Sequence, residues 1–403
     1  MTKPLDGIRI IDLSQMLPGP LCTQTLADYG AEVIKIEPLT GEFGRIARQD
    51  GPKGYSYYFY NVNRNKKCLA LDLKKEEGKA VFKELVKDAD VVFEQYRPGT
   101  MDSLGLGYEE LKQINEKIIY CALTGYGQSG PLKMVAGHDI NFLSVLGILE
   151  ATGSREAPGL PGIQIADIAG GTLHAIIAIL MALRARELTG KGQYCDVGML
   201  DGCITTMAYS LCDYWSTGRS PQRGMEALNG GLACYQIYET ADGKYVSLGA
   251  LEPKFWGDFC KKINKEEWIG KNMIPKPAMQ IEIGLFLTEF FKTKEQKEWV
   301  EFFASEDICF SPVLGMEEVV EHPQVVERQL VAQVDDFMGT GKRALFPGLP
   351  IKFSETPGEV VLSFGDIGED SVEVLKLAGY SNEEINEFVA QQVIRTINKE
   401  EEN

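Results

Sequence analysis

Histidine is scarce in this chain, with only three copies, at positions 138, 174 and 322, among 403 residues. The nine cysteines include no Cys-x-x-Cys pair, which argues against both a zinc site and a disulfide framework. We therefore predict that the protein holds no metal. Free thiols also fit a reducing, cytoplasmic compartment better than an oxidising one.

Positive charge is also in short supply, because 41 Lys and Arg residues face 58 Asp and Glu residues and leave a net charge of −17. Such a chain is repelled by nucleic acids and anionic membrane surfaces, so we predict neither as a partner.

No charged N-terminal region precedes an apolar stretch, which predicts no signal peptide. The most apolar segment, residues 175–183, has about half the length of a membrane span and is predicted to be a buried helix.

The first half of the chain alternates apolar strands, predicted at residues 8–13, 32–37, 69–73, 90–94 and 118–123, with helices such as 76–87. This alternation predicts an α/β fold with a Rossmann-like, doubly wound parallel sheet. The length implies two domains. We predict a large domain from residues 1–206 and 333–403, a linker at 207–231, and a smaller α+β domain at 232–332. The small domain is expected to open with a hairpin around Asp242-Gly243.

The turn after the first strand distinguishes this sheet from a dinucleotide-binding one. The second strand ends in an acidic residue, Glu37, as in a Rossmann fold, but the first turn is Ser-Gln-Met-Leu-Pro-Gly-Pro at residues 14–20 instead of Gly-x-Gly-x-x-Gly. Without those glycines a pyrophosphate cannot approach the helix N-terminus closely. The sequence therefore predicts a ligand other than NAD.

His138 is the histidine with the strongest functional context. It follows a glycine-rich approach at residues 124–130 and a predicted strand, and ligands bind at the carboxyl ends of strands in such sheets. A histidine that fixes a turn is the structural alternative. His174 lies inside an apolar helix, where we expect a packed, hydrogen-bonded side chain. His322 is expected on a surface loop.

Two carboxylates are further candidates. Asp167 precedes Gly170-Gly171 at the start of a long apolar helix predicted over residues 167–186, and its simplest role is an N-cap. Alternatively, it is a catalytic carboxylate beside backbone N–H groups that stabilise an enolate oxygen, and the glycines let a ligand or another backbone come close. Glu252 is either a charge before the helix that begins at Pro253 or a group that orients a histidine.

Several basic residues follow or precede strand ends and could bind phosphates in this acidic chain. Solvated surface positions are the alternative. These residues are Arg64, Lys66, Lys67, Lys74, Lys75 and Arg97.

Several of these motifs occur together in one family. The shared segments include Pro18-Gly19-Pro20, Asn63-Arg64-Asn65-Lys66, Leu71-Asp72-Leu73-Lys74, Tyr96-Arg97-Pro98-Gly99 and Thr124-Gly125-Tyr126-Gly127-Gln128. With them, the chain resembles the family III CoA-transferases (CaiB/BaiF type) nearly end to end. The segments Gly137-His138-Asp139-Ile140-Asn141 and Gly249-Ala250-Leu251-Glu252-Pro253 most resemble the α-methylacyl-CoA racemase branch.

The resemblance implies an enzyme of fatty acid and lipid metabolism that racemises 2-methylacyl-CoA thioesters. It implies that His138 and Asp167 are the two bases, that Glu252 supports His138, and that neither a metal nor an organic cofactor is needed. It also implies an interlocked homodimer. The alternative within the same resemblance is a CoA transferase in which Asp167 is the nucleophile that forms an acyl anhydride.

The resemblance also assigns CoA contacts, namely to Leu71, Asp72, Leu73, Lys74, Gln95, Tyr96, Arg97, Gly137, Asp139, Ile140, Asn141 and Phe142. The chain departs from the racemase pattern at Pro38 and Ser103, where racemases often carry arginine. These departures leave the contacts to the adenine and the 3′-phosphate unassigned. Arg45 or Lys75 is the candidate to take the place of the missing arginines.

Overall fold

The computed structural model of the protein describes residues 2–274 and 276–397, and these form two compact units. The large unit comprises Met1–Leu143, Gln164–Thr205 and Pro323–Asn403, and the small unit comprises Ser144–Ile163 and Thr206–His322. These units differ from the predicted domains in three ways. Ser144–Ile163 and Thr206 belong to the small unit, the predicted linker 207–231 is part of that unit, and positions 323–332 belong to the large one. The end of the predicted large domain, 398–403, lies outside the described residues.

In the described part of the chain, twelve strands form three sheets. They are β1 Arg9–Asp12, β2 Glu32–Glu37, β3 Lys67–Leu71, β4 Val91–Glu94, β5 Ile119–Thr124, β6 Tyr194–Gly198, β7 Tyr235–Glu239, β8 Tyr245–Gly249, β9 Phe310–Val313, β10 Val331–Val334, β11 Ala344–Pro347 and β12 Ile394–Arg395.

Among residues 2–274 and 276–397, eighteen α-helices surround or connect these strands. They are α1 Pro18–Asp28, α2 Phe43–Ile46, α3 Tyr57–Val62, α4 Glu76–Lys87, α5 Thr100–Ser103, α6 Tyr108–Ile114, α7 Asp139–Val145, α8 Ile148–Ala151, α9 His174–Thr189, α10 Met199–Cys203, α11 Ala208–Thr217, α12 Pro253–Lys262, α13 Pro277–Phe291, α14 Gln296–Phe303, α15 Met316–Glu321, α16 Pro323–Glu327, α17 Ser371–Leu377 and α18 Asn382–Ala390.

A seven-stranded sheet with the order β12-β3-β2-β1-β4-β5-β6 forms the centre of the large unit. All neighbours pair in parallel except β12, which runs antiparallel to β3. Strands β4 and β5 are buried along their whole length, as expected for parallel strands that helices cover on both faces. The predicted α/β fold class is confirmed.

The small unit is built on an antiparallel sheet with the order β7-β8-β9. The predicted hairpin is present, since β7 and β8 pair across the Ala241-Asp242-Gly243 turn. Strand β9 was not predicted, because its pairing with β8 spans more than sixty residues of chain. The core beneath this sheet is aromatic, and its fully buried members include Trp256, Phe259, Phe291 and Trp299.

The predicted linker is partly helical, since α11 occupies Ala208–Thr217 at its start. This segment contains neither glycine nor proline. Gly218 ends the helix in a left-handed conformation with φ 68°, which glycine adopts at little cost. The glycine-rich character that suggested a linker therefore begins only after this helix.

The apolar helix of the large unit is longer than predicted. A π-helix, Ala166–Leu173, continues directly into α9, and the combined stretch Ala166–Thr189 has 24 residues. By length and composition alone, this stretch could cross a membrane, a test that core helices of soluble proteins also pass. The predicted buried helix, 175–183, is in fact only partly covered, because Ile177, Leu180 and Met181 are exposed.

A buried ion pair joins β1 to the segment before β3. The Lys66 Nζ donates to Asp12 Oδ2 at 3.0 Å, to the Pro20 carbonyl at 2.9 Å and to Asn63 Oδ1 at 3.0 Å. Neither charged side chain is exposed to solvent. Buried charges are tolerated only when they are paired and hydrogen-bonded in this way.

Replacing Lys66 with alanine should leave the Asp12 carboxylate buried without its cation. We expect Lys66→Ala to lower the free energy of unfolding, measured by urea denaturation, by about 3–5 kcal/mol. The matched control is Lys87→Ala, which removes a half-exposed ion pair with Glu84 and should cost less than about 1 kcal/mol. Equal losses in the two variants would contradict the structural role of the Asp12–Lys66 pair.

Candidate functional site

Several candidate site residues of the large unit directly follow the carboxyl ends of parallel strands, which share one edge of the sheet. The chain order reverses between β1 and β4, and ligands in open α/β sheets bind at such a switch point. The loop after β4, which contains Gln95, Tyr96 and Arg97, begins at this position. The predicted contacts Asp72, Leu73 and Lys74 follow β3 at the same edge.

The start of α1 occupies the place where a dinucleotide fold binds pyrophosphate. Two residues of its first turn, Pro18 and Pro20, have no N–H group, and the Gly19 N–H donates to Gln95 Oε1 at 3.2 Å. A pyrophosphate needs these first-turn donors to be free. The structure thus gives a physical reason for the prediction that this sheet takes a different ligand.

Three of the six basic residues that the sequence suggested as phosphate ligands are paired with carboxylates of the fold. They form the pairs Arg64–Asp28 (2.6 Å), Lys66–Asp12 (3.0 Å) and Lys67–Glu32 (2.8 Å). Of the predicted set, Lys74 and Arg97 have exposed side chains at the sheet edge, and these two remain candidates for a phosphate.

The suggestion that Arg45 replaces a missing phosphate ligand is wrong. Its guanidinium is fully buried and binds both oxygens of Glu37, at 2.8 and 2.7 Å. It also lies over the ring of Phe59, 4.0 Å from the centroid. Lys75 is engaged as well, since its Nζ donates to the Gln391 carbonyl at 2.5 Å.

Two of the residues assigned to CoA have their side chains in the core. Leu71 and Phe142 are each 2% exposed, so a ligand could reach them only through their backbone. The Phe142 ring packs edge-on against Tyr126 at 5.0 Å, and a Cβ atom on Gly125 would collide with it. Phe142 therefore anchors the loop that contains His138 to the end of β5.

His138 lies in the turn immediately before α7 and is exposed. The Asn141 side chain accepts a hydrogen bond from the His138 N–H at 3.0 Å, and the Asn141 N–H donates to the His138 carbonyl at 2.8 Å. Asn141 thus fixes the backbone of His138 and leaves the imidazole free to face solvent or a ligand.

Asp167 lies within the first turn of the π-helix and is not its N-cap, which is Ile165. The capping carboxylate is that of Asp139, whose Oδ1 accepts hydrogen bonds from the Ala166 N–H at 2.6 Å and the Asp167 N–H at 3.0 Å. The N-cap alternative for Asp167 is therefore wrong. The expectation that these two N–H groups stabilise an enolate is also wrong, because Asp139 already occupies them.

Close backbone packing fixes the helix that contains Asp167. A Cβ atom on Gly170 would overlap the Met199 carbonyl of α10, and one on Gly202 would overlap the Gly170 carbonyl. The sequence left open whether Gly170 admits a ligand or another backbone, and the structure places a backbone there. On the opposite side, the Thr172 hydroxyl donates to the Pro18 carbonyl at 2.7 Å.

The structure brings His138, Asp139 and Asp167 into one electrostatic cluster. The pKa of Asp167 is raised from 3.8 to about 6, and burial is the largest cause. The negative charge of Asp139 contributes to the same rise, whereas a protonated His138 opposes it. An imidazole and a carboxyl group whose charges interact in this way can exchange the roles of acid and base.

Sequence reasoning missed Tyr58 in α3, which lies in the field of this cluster. Burial raises the pKa of its phenol, and the charges of Asp167 and Glu42 raise it further. The only signal in the sequence was a run of aromatic residues at positions 55–60, which is more typical of a hydrophobic core. Phe59 and Tyr60 of this run are indeed buried.

Glu252 belongs to the small unit, where it is the N-cap residue of α12. Its side chain accepts no capping hydrogen bond within the described part of the chain and is exposed. The predicted position of Glu252 before the helix that begins at Pro253 is therefore observed. The Glu252 carboxylate is still available for another role. His174 makes the expected core-type contact, a 2.7 Å hydrogen bond between its Nδ1 and the Ala169 carbonyl.

No group of three or more His, Cys, Asp or Glu side chains is arranged to hold a metal ion in residues 2–274 and 276–397. All nine cysteines have free thiols.

Comparison with known proteins gives consistent matches over almost the whole chain. Residues 5–371 match the family described as CoA-transferase family III. The chain is 36% identical to human alpha-methylacyl-CoA racemase (97% of this chain, 98% of the relative) and 31% identical to human succinyl-CoA:glutarate CoA-transferase (97% and 90%). A crystal structure of a CAIB/BAIF family protein from Brucella suis superimposes with a TM-score of 0.81 at 29% identity, covering 94% of this chain and 100% of that one.

The raised pKa of Asp167 predicts a pH-dependent cost to stability. Because the folded protein binds this proton more tightly than the unfolded chain, the carboxylate destabilises the fold above about pH 6, and the cost fades as the pH falls toward about 4. We expect Asp167→Asn to raise the free energy of unfolding by on the order of 1–3 kcal/mol at about pH 8, with little change at about pH 4.

Urea denaturation at both pH values measures this difference. The control is Asp6→Asn, which alters an exposed carboxylate that accepts a hydrogen bond from the Lys3 N–H at 2.7 Å. A gain from Asp167→Asn that is the same at both pH values would contradict the raised pKa.

Proposed function

This chain belongs to CoA-transferase family III, and we propose that within the family it is a racemase that interconverts (R)- and (S)-2-methylacyl-CoA thioesters. The observation that carries the proposal is the pairing of His138 with Asp167, whose pKa lies near 6. A proton transfer at one carbon from two faces requires one group that accepts a proton and another that donates one. The 36% identity to a racemase also supports it.

The proposed reaction moves one proton off C2 and one proton back. The unprotonated member of the pair takes the C2 proton, and the C–H electrons move into the thioester to form an enolate. The protonated member then donates its proton to the opposite face of C2, which restores the thioester with inverted configuration. The two side chains finish with exchanged protonation states, so no oxidant, metal or organic cofactor is consumed.

We propose that the CoA part of the substrate lies along the sheet edge beside the loops after β3 and β4. Lys74 and Arg97 are exposed there and can pair with phosphate oxygens. Because the whole chain has a net charge of −17, such local cations are needed to bind a polyanionic ligand.

We further propose that the protein is a cytoplasmic homodimer of lipid metabolism with no nucleic-acid or membrane partner. Exposed apolar side chains on α9, among them Ile177, Met181 and Leu188, support self-association, because apolar surface of this kind marks interaction sites. In the proposed interlocked dimer, Glu252 of one subunit supports His138 of the other.

A CoA transferase is the second candidate. Its support is the 31% identity to succinyl-CoA:glutarate CoA-transferase and the half-buried Asp167 carboxylate. In that reaction, a carboxylate oxygen of Asp167 attacks the thioester carbon and CoA leaves as a thiolate, so that an acyl anhydride forms. The thiolate then attacks the Asp167 carbonyl carbon of this anhydride, which releases the first acid and leaves CoA as a thioester of Asp167. An acceptor carboxylate takes up the CoA by the reverse of these two steps.

Incubation of each enantiomer of a 2-methylacyl-CoA in deuterated water tests the two candidates. A racemase incorporates deuterium at C2 and scrambles the configuration, which mass spectrometry and chiral analysis measure. His138→Ala should slow the scrambling of configuration at least about 100-fold. A transferase instead moves CoA to an added free acid and yields a hydroxamate of Asp167 with hydroxylamine. CoA transfer without C2 exchange would overturn the racemase proposal.

Subunit complementation tests the proposed pairing of Glu252 with His138 across the dimer. A heterodimer of one His138→Ala chain and one Glu252→Gln chain, purified through two different tags, would contain one doubly altered site and one intact site. We expect about half of the wild-type activity per dimer, although each parent variant is impaired. A heterodimer no more active than its parents would contradict an intersubunit pair.

A further inference from the structure

We propose that Asp139 is a positioning residue rather than a CoA contact, and that it holds the start of the Asp167 helix against the loop that contains His138. The inference rests on the proposed function, because it concerns the placement of the two groups that exchange the C2 proton.

One oxygen atom forms this connection. Asp139 Oδ1 accepts both the Ala166 N–H at 2.6 Å and the Asp167 N–H at 3.0 Å. Asp139 is adjacent to His138 in the chain, and its second bond reaches the backbone of Asp167 itself. A carboxylate at this position also interacts favourably with the exposed N–H groups of a helix start.

The two segments joined by Asp139 are each fixed independently. Asn141 holds the His138 backbone, and Phe142 packs on Tyr126. On the other side, Gly170 lies in direct contact with α10. Asp139 therefore links two rigid segments, so the loss of its hydrogen bonds should change their spacing rather than unfold either one.

The charge of Asp139 has a second effect, on the basicity of Asp167. The titratable groups that interact with the Asp167 carboxyl are His138, Asp139, Tyr58 and Cys203, from the loop before α7, the first residue of α7, α3 and α10. Asp139 raises the pKa of Asp167, while a protonated His138 lowers it. A more basic carboxylate takes a carbon-bound proton more readily.

Two substitutions separate the geometric effect from the electrostatic one. Asp139→Asn keeps a side-chain carbonyl oxygen that can accept both backbone N–H groups but removes the charge. Asp139→Ala removes both. Asp6→Asn is the matched control, because its carboxylate also accepts a backbone N–H, that of Lys3 at 2.7 Å.

We expect Asp139→Asn to shift the acidic limb of the C2 exchange rate against pH to lower pH by about 0.5–1 unit, and to leave CoA affinity within about twofold. Asp139→Ala should slow exchange by at least about tenfold, because small displacements of reacting groups are costly, again with CoA affinity unchanged. Asp6→Asn should change none of these quantities.

A measurement on the unliganded protein separates this inference from the proposed function. The ¹³C NMR titration of the Asp167 carboxyl, assigned with Asp167→Asn, requires no turnover, and Asp139→Asn should lower its midpoint. If the wild-type protein shows no C2 exchange, the racemase proposal fails while this titration still tests Asp139. An unchanged midpoint, or a loss of CoA affinity with an unchanged pH profile, would overturn the inference.

Discussion

Two hydrogen bonds to a single carboxylate oxygen determine how the candidate site is assembled. Asp139 accepts hydrogen bonds from the backbone N–H groups of Ala166 and Asp167. These bonds connect the segment after β5 to a helix that begins 27 residues after Asp139 in the chain. Because this carboxylate takes the place of an N-cap, Asp167 lies inside the first helical turn with its own carboxyl group free. The same contact places a negative charge beside Asp167, which helps to keep its pKa near 6.

The remainder of the sheet edge is organised by buried ion pairs instead of a glycine-rich loop. Asp12, at the end of β1, binds Lys66, and Glu37, at the end of β2, binds Arg45. These positions are the ones at which a dinucleotide fold would contact its cofactor. Because Lys66 and Arg45 are already paired with buried carboxylates, neither can bind a phosphate group of the ligand. The phosphates must instead be bound by cations outside these pairs, such as Lys74 and Arg97.

The sequence predicted much of the fold because periodic apolar patterns are local. The bounds of β2 and α4 were predicted to the residue. The position of His138 in the connection after β5, and its proximity to Asp167, could likewise be anticipated from the chain order of the strands and from the family resemblance. The π-helix, the capping role of Asp139 and the burial of Arg45 could not, because each depends on a partner distant in sequence. A basic residue in a sequence looks the same whether it is solvated, bound to phosphate or buried against a carboxylate.

If His138 and Asp167 act on opposite faces of C2, removing one base should leave proton exchange from one enantiomer only. The decisive measurement is the initial rate of deuterium incorporation from each separate enantiomer of a 2-methylacyl-CoA, with His138→Ala and Asp167→Asn compared under identical conditions. Opposite preferences of the two variants for the (R)- and (S)-thioesters are the predicted result. Loss of exchange from the same enantiomer in both variants, or undiminished racemisation in either, would contradict a two-base site.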